Sequence, residues 1–348
     1  MNVLLIGALP PPVGGTTVLF NQLVEDLRGR DDVCIRVIDI SRPKVGAISN
    51  CIHALRCLIL LLWNVRWASV LTFHTSLKGV ISFGPVVHLA SQIFDRKWIV
   101  RGFGGDIDTW HRNASGLRKR MFDRTVLRAD ALLLERKVSV EYFQSRSNNS
   151  VLWYPNSRHR GSDGTAAGHE RAVGRRFVFV GHVRPSKGIG ELIEATKQIS
   201  KTARIVMDVY GPMLEGVSDS WFVGSPVRYR GSIANKDVIQ TLTQYDVLVL
   251  PTYAEIEGYP GVILEAYCAG IPVITTRWGG IPEIVTTETG ILVEPRDVVG
   301  LAEAMQRLID SDQLCARLRE GARAKAAEFD AKRWTQYFVD LCQHVSVE

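Results

Sequence analysis

The chain has 348 residues and a formal net charge of +6, with 46% hydrophobic and 22% charged residues, the balance of a globular protein long enough for two domains. Its six cysteines (Cys34, Cys51, Cys57, Cys268, Cys315, Cys342) show neither CxxC spacing nor a histidine cluster and read as reduced thiols, so neither zinc nor a disulfide framework is expected. Met1-Asn2 leads straight into VLLIG with no basic stretch or cleavage site, and the longest apolar run, Cys57 to Trp63, is too short to span a bilayer, so a cytoplasmic protein is expected.

Val3 to Gly7 is a continuous apolar strand that enters Leu9-Pro10-Pro11-Pro12-Val13-Gly14-Gly15 and then a helical pattern from Thr16 to Leu27. Strand, glycine turn and helix open a Rossmann-like half, but the turn is not GxGxxG, so dinucleotide binding is disfavoured. Gly14-Gly15 either lets a ligand approach the backbone or makes an ordinary βα turn, and turn chemistry leaves both open. Val33 to Ile40 reads as the second strand. Ile52 to Trp67 is helical, with Arg56 and Arg66 beside Leu58 to Leu62, Trp63 and Trp67. That pattern suits a helix lying on an anionic membrane surface, or one packed on the sheet with its arginines reaching outward.

Ser69 to Phe73 is a third strand ending at His74, and Trp98 to Arg101 a fourth ending in Gly102-Phe103-Gly104-Gly105-Asp106-Ile107-Asp108. Ligands of open α/β sheets sit beyond the carboxyl ends of strands, so His74, Arg101, Asp106 and Asp108 are candidates to line a site. His74 serves equally well as a hydrogen-bonded cap. Asp106-Ile107-Asp108 matches the Asp-x-Asp pattern that holds a divalent cation through two carboxylates, but so short a pattern recurs by chance and no metal is expected. The helix from Leu117 to Arg128 is strongly basic, either a solvated face or a patch for a phosphate-bearing acceptor.

After the strand Val151 to Tyr154 comes Pro155-Asn156 and then SRHRGSDGTAAGHERAVGRR, which lacks periodic apolar residues and reads as an exposed linker. The positive charge concentrates in the first half and around Arg158 to Arg176. It suits nucleic acid, anionic lipid or a phosphorylated substrate, and without stacking motifs nucleic acid ranks last. Phe177 to Val180 starts a second α/β half. Its first turn, Gly181-His182-Val183-Arg184-Pro185-Ser186-Lys187-Gly188, puts a lysine at the entry of a helix over Ile189 to Ile199; it is not the P-loop. Strands over Ile205 to Tyr210, Val227 to Arg230, Val247 to Leu250 and Val273 to Thr276 alternate with helical stretches, which gives a mainly parallel sheet. Helices over Val298 to Ile309, Asp312 to Phe329 and Lys332 to Val345 read as packing elements. The expected organisation is α/β, with a Rossmann-like domain over 1–155, a linker over 156–176, a second domain over 177–330 and a C-terminal helix over 331–348 that can return to the first.

The densest chemistry lies in Glu257 to Glu283, EGYPGVILEAYCAGIPVITTRWGGIPE. Pro260 and Gly261 mark a helix start, which places Glu257 in the loop ahead of it and Glu265 about one turn inside. The N–H groups of Gly261, Val262 and Ile263 then point at a bound group, and a helix N-terminus favours an anion. Gly279-Gly280, before Ile281-Pro282-Glu283, repeats the device after the next strand, and two such turns suit a diphosphate. On residue type alone, Glu265 is also explained by the helix dipole and Glu257 as a solvated loop acid.

Three features in order resemble the retaining, nucleotide-sugar-dependent glycosyltransferases of family four (group 1): the Gly14-Gly15 turn, the Gly181 to Gly188 segment with its lysine, and Glu257-x7-Glu265 followed by Gly-Gly-x-Pro-Glu. That family has the GT-B fold, two Rossmann-like α/β domains facing a central cleft. The resemblance covers the whole length and is strongest from Phe177 to Pro295. It implies that Lys187 contacts the donor diphosphate, that Glu257 sits by the donor sugar, and that Glu265 holds the ribose hydroxyls. It further implies that Gly15, Tyr259, Gly261, Val262, Gly279 and Gly280 line the donor, and that Asp106, His74 and Arg101 stand on the acceptor side. The family often has arginine where this chain has His182, with Arg184 the expected substitute, and histidine where it has Phe103.

The implied function is transfer of a sugar from a nucleoside diphosphate sugar, expected to be a UDP-sugar, to a hydroxyl of a surface-polysaccharide or lipid-linked glycan acceptor, with retention. Lys187 and Glu257, with Asp106 on the acceptor side, would carry catalysis without a metal or other cofactor, in the cytoplasm or on the inner face of the membrane. Two rivals stand beside it: a sugar-nucleotide epimerase of similar fold, which needs no acceptor, and a noncatalytic domain that binds a nucleotide sugar. Binding alone would not require both Glu257 and Lys187, which disfavours the second.

Overall fold

The computed structural model describes residues 1–41, 47–160 and 175–347 and divides into two units, Met1–Asn156 with Lys332–Glu348, and Ser157–Ala331. In the first, β1 (Asn2–Gly7), α1 (Gly15–Arg28), β2 (Cys34–Asp39), α2 (Ala47–Asn64), β3 (Val70–Ser76), α3 (Leu77–Ile93) and β4 (Lys97–Phe103) alternate strictly. Then come α4 (Ile107–Asn113), α5 (Gly116–Thr125), β5 (Ala131–Leu134), α6 (Lys137–Gln144) and β6 (Ser150–Trp153). All pairings are parallel, in the order β2-β1-β3-β4-β5-β6.

The central strands carry apolar residues without alternation because helices cover both faces. Leu4 and Ile6 of β1 point into one core with Phe73, Trp98 and Phe122, while Val3 and Leu5 point into the other with Phe20 of α1. The second core is completed by Trp334, Phe338, Val339 and Cys342 of the last helix, at the far end of the chain.

The second unit runs β7 (Arg175–Val180), α7 (Ile189–Ile199), β8 (Ile205–Tyr210), β9 (Val227–Tyr229), α8 (Val238–Leu242), β10 (Val247–Leu250), α9 (Gly261–Cys268), β11 (Val273–Thr276), α10 (Ile281–Ile284) and β12 (Gly290–Val293). α11 (Val298–Asp310) and α12 (Asp312–Ala326) follow, and the chain ends in α13 (Ala331–Val347). The sheet is again six-stranded and parallel, in the order β12-β11-β10-β7-β8-β9. β10 thus lies between β7 and β11, so the loops that leave these three strands emerge side by side.

Of the segment expected to be a linker, residues 161–174 lie outside the described residues. Ser157 and Arg158 are built into the second unit, where Arg158 forms a parallel bridge with Asp330. Among the described residues no helix is long and apolar enough to cross a membrane.

Candidate active site

Two loops are stitched together behind Lys187. Gly188 has φ +77°, and a Cβ there would fall 2.2 Å from the Pro251 carbonyl oxygen, so only glycine lets the β7 loop close on the end of β10. The Tyr253 amide donates to the Ser186 carbonyl at 2.9 Å, from the other side of Lys187. From this anchored backbone Lys187 Nζ donates to Glu257 Oε2 at 2.5 Å, and Thr252 Oγ1, just past β10, donates to the same oxygen at 2.6 Å. The side chains of Lys187 and Glu257 are only 15% and 9% exposed. Taking two charges out of water costs about what their attraction returns, so the pair is poorly explained as a device for stability.

The Glu257 main chain is held by the second glycine turn. The Gly280 amide donates to the Glu257 carbonyl at 2.9 Å, and with Gly279 at φ +55° a Cβ there would lie 2.1 Å from that same carbonyl oxygen. This corrects one expectation: the Gly280 N–H is spent on Glu257 and fixes the acid instead of facing a phosphate. The Gly279 N–H has no acceptor among the described residues. Tyr259 is buried and donates from its hydroxyl to Glu283 Oε2 at 2.9 Å, so its ring and hydroxyl serve the packing of these turns.

α9 begins at Gly261, as the Pro260-Gly261 pair predicts. The amides of Gly261 and Val262 fall in its first turn, before any intrahelical acceptor. The Ile263 amide does not join them, because it donates back to the Pro260 carbonyl at 3.0 Å. Glu265 sits one turn in, and its Oε1 accepts from Arg158 Nε at 2.7 Å.

His182 lies near Arg184 and Lys187, and its pKa falls below the ordinary histidine value, first through partial burial and then through those two cations. Arg184 reaches away to Glu215 Oε1 at 2.9 Å. The second unit therefore brings together Lys187, Glu257, Tyr259, Gly279 and Gly280, with His182 beside them, and sets Gly261, Val262 and Glu265 on the adjoining helix.

Gly15, His74, Arg101 and Asp106 belong to the first unit. A Cβ at Gly14 or Gly15 would meet no atom within 4 Å, so packing does not demand glycine at that turn. His74 is buried between the rings of Phe20 and Phe338, with Nε2 3.1 Å from Thr72 Oγ1, and burial above all, then Arg101, drives its pKa well below the ordinary value. Arg101 is buried too, its guanidinium stacked between Phe103 and Tyr154 at 4.5 and 4.3 Å. Asp106 caps the start of α4, where its carbonyl accepts from the Trp110 amide at 2.7 Å. Asp108 is buried and accepts from Ser139 Oγ at 2.7 Å. Among the described residues no group of three or more His, Cys, Asp or Glu is placed to hold a metal ion.

Two participants are absent from the sequence reading. Thr252 carries no motif of its own, and only its place just past a strand end marks it. Arg158 lies in a polar run that reads as linker, and nothing in that run signals a partner more than a hundred residues away at Glu265.

Residues 174–311 match the family model described as glycosyl transferases group 1. The chain is 28% identical over 176 residues to a glycogen synthase of Mycobacterium tuberculosis, covering 47% of this chain and 41% of that protein. It is 29% identical over 286 residues to the sulfoquinovosyl transferase SQD2 of Arabidopsis thaliana, covering 74% of this chain and 53% of that one. The chain spans about half the length of the curated relatives it matches. Among solved structures, Anabaena HepE in complex with UDP superposes with a TM-score of 0.74 at 18% identity, covering 99% of this chain and 100% of the other. A sucrose-phosphate synthase from Thermosynechococcus elongatus gives 0.73 at 17%, covering 99% of each chain. These likenesses establish the two-domain GT-B fold.

Proposed function

We propose that this chain, whose residues 174–311 match the group 1 glycosyl transferase model, transfers a sugar from a nucleoside diphosphate sugar to an acceptor hydroxyl, with retention at the anomeric carbon. The observation that carries this reading is the Lys187–Glu257–Thr252 cluster locked onto the Gly279-Gly280 turn. An ammonium and a carboxylate held rigid and nearly out of water are a matched pair of handles, the first for diphosphate oxygens and the second for sugar hydroxyls. Preorganised charge in a low-dielectric site stabilises charge that develops in the transition state without paying for reorganisation.

In the proposed step the bond from the anomeric carbon to the diphosphate oxygen breaks as the acceptor oxygen bonds to the same face. The acceptor proton passes to the departing phosphate oxygen. Lys187, the Gly279 amide and the first-turn amides of Gly261 and Val262 take up the charge that accumulates on the diphosphate, so a chelator is expected to leave turnover unchanged. Glu257 orients the sugar ring, and Glu265 accepts from the ribose. UDP is the first donor to try, because HepE is solved with UDP.

For the acceptor we infer a glycan or lipid-linked hydroxyl presented at an anionic membrane surface. α2 turns Ile52, Leu55, Ile59 and Trp63 to solvent, Trp63 at 80% exposure, while Cys57 and Leu61 face the core. Arg56 and Arg66 are exposed along the same helix and just beyond its end. An apolar stripe edged by arginine is the chemistry of a helix lying in a lipid headgroup layer. Trp67 is not part of it, because it packs against the first-unit core with Arg36 over its ring.

The test is a panel of UDP-, GDP- and ADP-sugars scored by thermal shift and by turnover, with proton NMR of the product anomer. Stabilisation and turnover by one donor class with retained configuration is the expected result. Conversion of a donor without any acceptor, or binding without turnover against every glycan and lipid acceptor, would replace it with an epimerase or a binding module.

A further inference from the structure

Arg158 is pinned at its backbone and directed at its side chain. Its amide donates to the Phe329 carbonyl at 2.9 Å and its carbonyl accepts from the Ala331 amide at 3.0 Å, so the main chain cannot drift. From there Nε donates to Glu265 Oε1 at 2.7 Å and Nη1 donates to the Ser157 carbonyl at 2.9 Å. Arg158 and Glu265 side chains are 11% and 15% exposed. The third nitrogen, Nη2, has no acceptor among the described residues, and a Cβ at Gly261 would fall 1.9 Å from it. The guanidinium therefore lies over the first turn of α9, in the space that the missing side chain of Gly261 leaves.

Resting on the reading of Glu265 as the ribose carboxylate, we propose that Arg158 is a second ribose-recognising residue that reads one hydroxyl jointly with Glu265. A hydroxyl both donates and accepts, a carboxylate only accepts, and a guanidinium only donates. Side by side, Glu265 accepts a hydrogen bond from the hydroxyl O–H while Nη2 donates to the hydroxyl oxygen, and both functions are met by charge-assisted bonds. A deoxy carbon at that position meets neither group and leaves both short of a partner in a site shielded from water, the arrangement that discriminates most strongly against a missing hydroxyl. The ligand class is thus a ribonucleoside diphosphate, selected over its deoxy counterpart.

The alternative is that Arg158 only braces Ser157 to Arg160 against α9, and binding selectivity separates the two. Calorimetric titration of the full chain with UDP, 2′-deoxy-UDP and 3′-deoxy-UDP, and with the GDP series, would be run on wild type, Arg158→Ala, Arg158→Lys and Glu265→Gln. Because the bridge to Asp330 is main-chain, Arg158→Ala keeps it, and a thermal melt of each variant checks the fold. Wild type is expected to bind the ribo form roughly 10- to 100-fold more tightly than one deoxy form, the range of a lost charge-assisted bond. Arg158→Ala should lower that ratio several-fold by weakening only the ribo form, with Arg158→Lys in between. Equal weakening of ribo and deoxy forms by Arg158→Ala, or tighter UDP binding, overturns the assignment. A Glu265→Gln variant that keeps the full ratio, or a wild type that binds neither UDP nor GDP, sinks the ribose reading of Glu265 itself and Arg158 with it.

Discussion

The two sheets are built by one rule and finish their strands differently. In the first unit the polar groups at the ends of β3 and β4 turn inward: His74 lies between two phenyl rings, Arg101 is stacked on Phe103 and Tyr154, and Asp108 accepts from Ser139. In the second, the groups just past β7 and β10 meet one another as an ion pair bonded to Thr252, with glycine turns holding the main chain behind it. The strand-end rule for ligand sites in α/β sheets nominates both sets equally. What separates them is whether the polar side chains are enclosed by aromatic rings or held as a charged pair. If the distinction is functional, first-unit substitutions move stability and leave donor chemistry alone, whereas second-unit substitutions cut turnover whether or not stability also falls.

The sharpest test is a double variant. Lys187→Ala and Glu257→Gln are each expected to lower turnover roughly 100- to 1,000-fold, the usual loss for one preorganised electrostatic contact. Each also leaves a nearly buried group without its counter-charge, so each single change should lower the unfolding midpoint. Combining Lys187→Met with Glu257→Gln removes both charges and should restore most of that midpoint while turnover stays lost, because a buried pair adds little net stability. A double variant that recovers turnover together with stability would show that the pair is structural.

Next in size is Gly279→Ala. The residue sits at φ +55°, and its Cβ would press on the Glu257 carbonyl oxygen. Backbone strain of this kind costs about 1–3 kcal/mol, and here relief moves Glu257, so denaturant midpoint and turnover should fall together. Unchanged turnover would mean that Glu257 needs no such support.

The first unit is tested by acid. With its folded pKa far below the unfolded value, His74 stays neutral in the native state while the unfolded chain takes a proton, so its contribution is present above the unfolded pKa and lost as pH falls below it. The slope is at most about 1.4 kcal/mol per pH unit for one proton. His74→Leu should flatten the fall in midpoint between neutral and acid pH without altering donor affinity at neutral pH. An equally steep fall in the variant would assign the acid sensitivity elsewhere.

Legibility followed the same divide. Strands such as Ile205 to Tyr210 and Val247 to Leu250 were readable to the residue, because their β-branched valines and isoleucine favour a strand between turns. β5 was not: ALLL has no β-branched residue, and alanine and leucine suit a helix equally well. α3 was hidden by Gly84 and Pro85, which normally break a helix but here sit within it. In the site, the pairing of residue types was visible in Glu257-x7-Glu265 and Lys187, whereas the use of each N–H was not. Whether the Gly280 amide meets a phosphate or the Glu257 carbonyl depends on how two turns pack, which no local pattern encodes. Arg158 escaped for the same reason, since its partner is chosen by the fold and not by its neighbours in the chain.

The smallest expected change in stability comes from the outer stripe of α2. If the strand ends of the first unit are occupied by packing, its exposed surface is where the proposed contact with an anionic membrane would be made. Trp63 has little packing to lose, so Trp63→Ala should shift the unfolding free energy by less than about 0.5 kcal/mol. Losing the burial of one large apolar side chain in lipid should nonetheless weaken partition onto anionic liposomes by roughly tenfold or more. Leu61→Ala, on the core side of the same helix, should do the opposite, lowering stability and sparing partition. Salt should weaken binding in wild type and Trp63→Ala alike, because the arginines remain, and neutral liposomes should bind neither well. Equal partition of wild type and Trp63→Ala would leave the stripe without a lipid role and the acceptor to be sought in solution.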